Sequence, residues 1–213
     1  MLRAVKPRVY VYVLSVDAGF SPNPFHGWCT LACCKPVIRR NARPGDWVLG
    51  VTPARHGHRL AYAMKVLEVL GFADYWRDPR FGSKRPRRGD GTTVLQRRGD
   101  NCYEPLANGR FRQIPSCHWD DVRDQEDPAT KRRDLGGVNA LVSDRFAYFG
   151  GSAIEWPEFA GVAMPARGHR VFAQAEVPHL VNFLESLPQG VHGRPRRWPS
   201  DEKSWSEPRG RCG

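Results

Sequence analysis

No apolar stretch in this chain of 213 residues approaches the roughly 20 that a membrane-spanning helix needs. No membrane partner is expected. No export leader is expected either: MLRAVKPR is basic, but only the short Val9–Val16 run follows it, without a small-residue cleavage pattern. Paired cysteine motifs are absent. Six cysteines lie at irregular positions, with Cys33 and Cys34 adjacent, which makes a poor disulfide framework and predicts free thiols in a reducing cytoplasm. Cys29, Cys33, Cys34, Cys102, Cys117 and His118 carry enough donor atoms for zinc, but C-x3-C-C is not a zinc knuckle and no second pair completes it. Buried packing as small hydrophobes accounts for the thiols better, so neither a metal nor a cofactor is expected. No internal repeat is visible.

Acidic residues are also short. Asp and Glu number 22 against 33 Lys and Arg, giving a formal charge of +11 and a pI near 9.8. Such an excess attracts polyanions, and arginine suits bidentate phosphate contacts. The charge is densest from Arg77 to Arg98, where Arg77, Arg80, Lys84, Arg85, Arg87 and Arg88 sit beside Trp76 and Phe81. Basic side chains interleaved with rings suit a nucleic-acid groove, the charges for phosphate and the rings for stacking. A solvated loop would have the same composition.

The apolar runs predict strands. Arg8–Val16 (RVYVYVLSV) is rich in β-branched and aromatic residues, as a strand buried on both faces should be. Val48–Thr52 and Leu60–Leu70 follow as a hairpin around Thr52–Arg59. Lys35–Ala42 predicts a short helix with Pro36 in its first turn and with Val37 and Ile38 inward; Pro44-Gly45-Asp46 then turns the chain into Trp47. Phe72–Trp76 is expected as one helical turn, Asn108-Gly109 as a hairpin turn, Asp120–Asp134 as an exposed loop, Val138–Ser143 as a strand, and Phe146–Gly150 as an aromatic cluster on the core. Leu180, Val181, Leu184 and Leu187 recur at helical spacing from Pro178. Residues 1–187 are expected as a single domain, and the basic Pro/Gly-rich 188–213 as a disordered tail.

The long connection Asp17–Trp47 begins and ends on core strands, and long ordered loops in compact domains are often functional. A ligand pocket is expected there, walled by Asp17, Asn23, Phe25, Cys29, Thr30, Lys35 and Arg39, and closed by the Asp100-Asn101 turn. Asn23 could satisfy loop backbone or read a base edge. Asx turns explain Asp46 and Asp100 at least as well as catalysis does. Cys34, next to Lys35 at a helix start, is a candidate nucleophile that Thr30 or Asp100 could assist. His56 and His58 are expected in solvent.

Asp17–Lys35 (DAGFSPNPFHGWCTLACCK), Ile38-Arg39, Gly45–Val48, Tyr62–Met64, Gly99–Asn101 and Tyr148–Gly150 together resemble the second of the nucleotide modification associated domain families of bacteria and phages. The likeness is most specific at NPF, CTLA-x-CKP and GDWV. It implies a role with modified nucleotides in DNA and no defined catalytic residue. The Gly-Asp turn feeding a strand also looks like PUA-like (ASCH and EVE) domains. The expected fold is therefore α+β with a PUA-like barrel core and short peripheral helices. The expected function is binding of DNA or a nucleotide, recognising or helping to modify altered bases in a modification or defence context. The alternatives are an enzyme acting on a nucleobase or nucleotide through Cys34 or Asp100, and a subunit that docks protein partners of a modification complex.

Overall fold

The computed structural model describes residues 6–166 and 168–200. Among the described residues there are eleven strands and five short α-helices. In order they are β1 (Arg8–Val13), β2 (Cys29–Leu31), α1 (Pro36–Asn41), β3 (Trp47–Val51), β4 (Leu60–Lys65), β5 (Glu68–Gly71), α2 (Phe72–Arg77), α3 (Val94–Arg97), β6 (Tyr103–Pro105), β7 (Phe111–Gln113), α4 (Pro128–Leu135), β8 (Asn139–Ser143), β9 (Arg145–Tyr148), β10 (His169–Ala173), α5 (Pro178–Ser186) and β11 (Gly190–Val191).

Six strands form the main sheet in the order β10-β1-β3-β4-β9-β11. β1 runs parallel to β3, and the other central pairs are antiparallel. Successive side chains of a strand point to opposite faces, and here both faces are covered. Tyr10 and Tyr12 of β1, Val48 of β3, Tyr62 and Met64 of β4, and Phe146 and Tyr148 of β9 pack on one side with Cys29, Leu31, Ile38 and Leu141. Val9, Val11, Trp47, Leu49, Ala63 and Ala147 pack on the other against Leu180 and Leu184 of α5. Double burial explains why these strands read as near-continuous apolar runs. Gly50 lets the Tyr62 ring lie flat against β3, since a Cβ there would sit 2.4 Å from Tyr62 Cε1.

A second sheet, β2-β8-β5, lies over the tyrosine face, and β6 and β7 form a separate hairpin. The α+β class is as expected. A closed barrel is not: the six-stranded sheet ends at β10 on one side and β11 on the other. Leu60–Leu70 is not one strand either. It leaves the main sheet after Lys65, and Glu68–Gly71 pairs with β8 instead. In α1, Ile38 is buried but Val37 is exposed, and Arg39 takes the inward position. The stretch Asp120–Asp134 contains α4, capped by Asp127, whose carboxylate accepts from Ala129 and Thr130 N–H, with Pro128 in the first turn.

Residues 188–200, expected as a free tail, lie along the body. β11 pairs with β9, Gly151 N–H donates to the Arg194 carbonyl, and the Trp198 ring meets Phe25 at 5.5 Å. The rest of the expected tail, 201–213, lies outside the described residues. Among the described residues, no helix is long and apolar enough to cross a membrane.

Candidate active site

Strand β2 leads through a tight turn into α1, and Cys34 and Lys35 form that turn. Both are in the left-handed region, with φ of 56° and 40°. Neither is glycine, and such residues cost on the order of 1–3 kcal/mol each unless their surroundings hold them. The surroundings here are specific. Cys34 N–H donates to Asp134 Oδ1 at 2.8 Å. The Cys34 carbonyl accepts from Arg39 Nε at 2.7 Å, and Arg39 N–H donates to the Lys35 carbonyl. Lys35 lays its ammonium 4.6 Å from the centre of the Tyr12 ring.

The turn presents Cys34 Sγ to His118 Nε2 at 3.6 Å, and His118 Nδ1 lies 2.6 Å from Asp134 Oδ2. Exposure is 4% for Cys34, 7% for His118 and zero for Asp134, so the carboxylate is innermost. Burial pushes the Asp134 carboxyl up. The His118 bond and charge, Arg39 and the Tyr103 hydroxyl outweigh that and hold it at about 2. An ionised Asp134 only accepts, so His118 must carry its proton on Nδ1. When the imidazole is neutral, its Nε2 lone pair faces the thiol. The imidazole is braced edge-on by Phe20 at 4.8 Å.

Three further groups fix the geometry. Tyr103 donates to Asp134 Oδ2 at 2.8 Å. Buried Gln113 donates to the His118 carbonyl and accepts from Asp127 N–H, tying the imidazole to the start of α4, whose last turn carries Asp134. Arg39 is wholly buried, and its guanidinium also donates to the carbonyls of Asp134 and Asn139 at 2.6 Å each. Gly137 makes room for it, because a Cβ there would lie 2.4 Å from Arg39 Cζ.

Cys33 Sγ, His118 and Asp134 also bring three metal-type donors within 4.8 Å of one another. Burial holds the Cys33 thiol well above its ordinary pKa, and the Asp134 oxygens already accept N–H and O–H donors. Among the described residues that set supplies three of the four ligands a structural zinc takes.

Most of the other expected pocket residues meet in a different place. Asn23, Thr30, Asp100 and Asn101 are all buried, together with Lys84. Asp100 accepts from the Tyr75 hydroxyl at 2.7 Å and from Thr30 Oγ1 at 2.8 Å. Lys84 Nζ uses its three donors on the Asn23 carbonyl, Asn23 Oδ1 and the Trp28 carbonyl. Asn23 Nδ2 donates to the Arg98 carbonyl, and Asn101 Nδ2 is shared between Tyr75 and Phe81 carbonyls. This network clamps the Asn23 loop to the Lys84–Asn101 segment and leaves little for a ligand. Burial pushes Asp100 up, against the charge of Lys84, and pushes Lys84 down to about 8.

Lys84 is therefore an interior residue and cannot face a surface phosphate. Of the other basic positions, Arg80 is held by Glu68 and Asp78, Arg85 covers the Trp76 ring at 4.4 Å, and Arg88 pairs with Asp121. Arg77 and Arg87 are exposed. Cys29 is enclosed beside Met64, and Phe25 packs on Trp198. Asp17 lies elsewhere, bonded to the Tyr148 hydroxyl, with burial raising its pKa. Sequence reasoning named Cys34 but treated His118 only as a metal donor and left Asp134 in a loop. The one local signal was the Asp127-Pro128 cap, which predicts a helix reaching Asp134.

Fold and site together define an α+β domain built around a buried thiol, imidazole and carboxylate. The profile of the family described as Nucleotide modification associated domain 2 matches residues 6–202, and the chain belongs to that family. No curated protein and no solved structure gives a match.

Proposed function

We propose that this domain is an enzyme acting on a nucleobase or nucleotide, with Cys34 as nucleophile, His118 as general base and then acid, and Asp134 as the group that orients the imidazole. The supporting observation is the chain of contacts from Cys34 Sγ to His118 Nε2 (3.6 Å) and from His118 Nδ1 to Asp134 (2.6 Å). A base within reach of the thiol, and a third group orienting the base, is the arrangement nucleophilic catalysis requires. The left-handed turn that holds Cys34 between a strand and a helix has the same mechanical logic as a nucleophile elbow. The nucleotide substrate class rests on the family.

In this reading the thiol proton passes to His118 Nε2 and sulfur attacks an electrophilic carbon of the substrate. The bond to the leaving group breaks, and that group departs with its electron pair and the proton from His118. Water or a hydroxyl of a second nucleotide then attacks the bound carbon, its proton passing to His118 as the carbon–sulfur bond breaks, and His118 hands that proton to the Cys34 thiolate. Arg39, Tyr103 and Gln113 are positioning residues. Exposed Arg77 and Arg87, with the net charge of +11, support DNA as the carrier of the substrate base.

Alkylation by iodoacetamide, followed by peptide mass spectrometry, tests this. Cys34 should react faster than fully enclosed Cys29, and His118→Ala should slow it at neutral pH. Equal rates for the two cysteines, or no response to His118→Ala in a folded protein, would sink the reading.

A further inference from the structure

A second site lies away from the thiol. A cavity of about 190 Å³ is lined by Leu14, Asp17, Thr52, Arg55, His56, Arg196 and Arg197, among others. Three arginines and one carboxylate make it strongly basic. Among the described residues none of the three guanidinium groups has a carboxylate partner, and the Arg197 side chain makes no hydrogen bond. Arg55 Nε lies 3.1 Å from His56 Nε2, and Arg196 Nη2 lies 2.9 Å from His56 Nδ1. A neutral imidazole has one lone pair and one N–H, so it can accept from one of these arginines, and a protonated imidazole from neither. The three arginines are exposed, so an anion entering the cavity would replace solvent as the acceptor of at least one guanidinium.

Asp17, on the same lining, is 6% exposed. Its Oδ1 accepts from the Tyr148 hydroxyl and Gly19 N–H, while its Oδ2 accepts from Arg196 N–H at 3.1 Å. A carboxylate oxygen with one donor retains acceptor capacity. The backbone of Arg196 and Arg197 is fixed to the Asp17 residue itself, since Arg197 N–H also donates to the Asp17 carbonyl. Cations and acid thereby line one small cavity of about 190 Å³.

We infer that this cavity binds the phosphate monoester of a small molecule, no larger than a mononucleotide. Arg55, Arg196 and Arg197 take the phosphate, and Asp17 accepts a hydrogen bond from a hydroxyl or amino group of the same molecule. The inference does not depend on the chemistry proposed for Cys34.

Calorimetric titration of the full chain at constant ionic strength tests it, with inorganic phosphate, 2-deoxyribose 5-phosphate, 2′-deoxyadenosine 5′-monophosphate and 2′-deoxyadenosine as probes. One site per chain is expected for the monoesters, with inorganic phosphate competing and the unphosphorylated nucleoside at least tenfold weaker. The two monoester arms distinguish a sugar phosphate from a nucleotide. Arg197→Ala, at an exposed side chain, should weaken the monoesters tenfold or more while leaving the melting temperature unchanged. Phosphate that binds no better than chloride would overturn the inference, as would a nucleoside as tight as its monophosphate, or full affinity in the Arg55→Ala/Arg197→Ala double variant. Cys34 alkylation measured in the same variants should be unaltered, which keeps failure here separate from failure of the thiol reading.

Discussion

Asp134 and Asp100 are both buried, and their surroundings push them in opposite directions. Asp134 lies against His118 and Arg39 and is held at about 2. Asp100 has Lys84 nearby and accepts from Tyr75 and Thr30, yet burial wins and its pKa rises. Their neighbours explain the contrast. One partner of Asp134 leads outward: His118 Nε2 lies against the Cys34 thiol, which keeps some exposure. Partners of Asp100 lead only to further buried groups whose donors are spent on carbonyls. A buried carboxylate marks a reactive centre when its network ends on a nucleophile. When the network closes on itself, the same residue type marks a clamp.

The clamp should fail first under mutation. Asp100→Ala leaves the Lys84 ammonium buried without its compensating charge and removes the acceptor of Tyr75 and Thr30. Leaving the buried Tyr75 and Thr30 hydroxyls without their acceptor costs about 1–3 kcal/mol each, to be read from the urea midpoint. The rate of Cys34 alkylation in the molecules that remain folded should not change.

His118→Ala should do the reverse. Its largest effect should be on reactivity, with Cys34 alkylation near pH 7 slowed about a hundredfold, the range general-base assistance spans. His118→Gln tests whether shape alone suffices, and it should not restore the rate.

Acid titration separates the two carboxylates by sign. A lowered folded pKa means that Asp134 contributes stability present above its unfolded value near 3.8 and lost as pH falls through about 2. The shift corresponds to about 2 kcal/mol, and Asp134→Asn should remove that part of the acid limb. Asp100, with its pKa raised, has the opposite slope: its contribution is present below the ordinary carboxylate value and lost as pH rises through the folded one. Unfolding curves between pH 2 and 6 on wild type, Asp134→Asn and Asp100→Asn measure both. Parallel curves for the two variants would erase the distinction drawn here.

Smallest of all should be Arg77→Ala and Arg87→Ala on the exposed basic surface, within about 0.5 kcal/mol in stability. If these residues meet DNA phosphates, each change should lower the slope of log affinity against log salt by about one. An unchanged slope would remove them from any interface.

Much of the scaffold was legible because local composition decides it. β1, β3 and the first half of Leu60–Leu70 declare double burial, Asn108-Gly109 makes its hairpin with Gly109 at φ 76°, and α5 shows its apolar stripe. The break after Lys65 was not legible, since apolar alternation continues through it while the strand changes partners. Cys34 could be named from its neighbours, but His118 is 84 positions away and Asp134 is 100 away. No spacing rule links such distances. Lys84 misled for a related reason: a lysine inside an arginine-rich stretch reads as surface, and only the carbonyls from Asn23 and Trp28 make it an interior residue.

The contacts of Asp17 have a consequence for how the protein comes into being on the ribosome. Arg196, which donates to its carboxylate, is 179 residues downstream. At synthesis rates of about 5–20 residues per second, roughly 9–36 s separate the two. Throughout that interval the early strands can pair, but the arginine wall of the cavity does not yet exist. A chain interrupted before Arg196 would carry Cys34, His118 and Asp134 and still lack the wall built by Arg196 and Arg197, so the cavity is completed only after the partners of the thiol are in place.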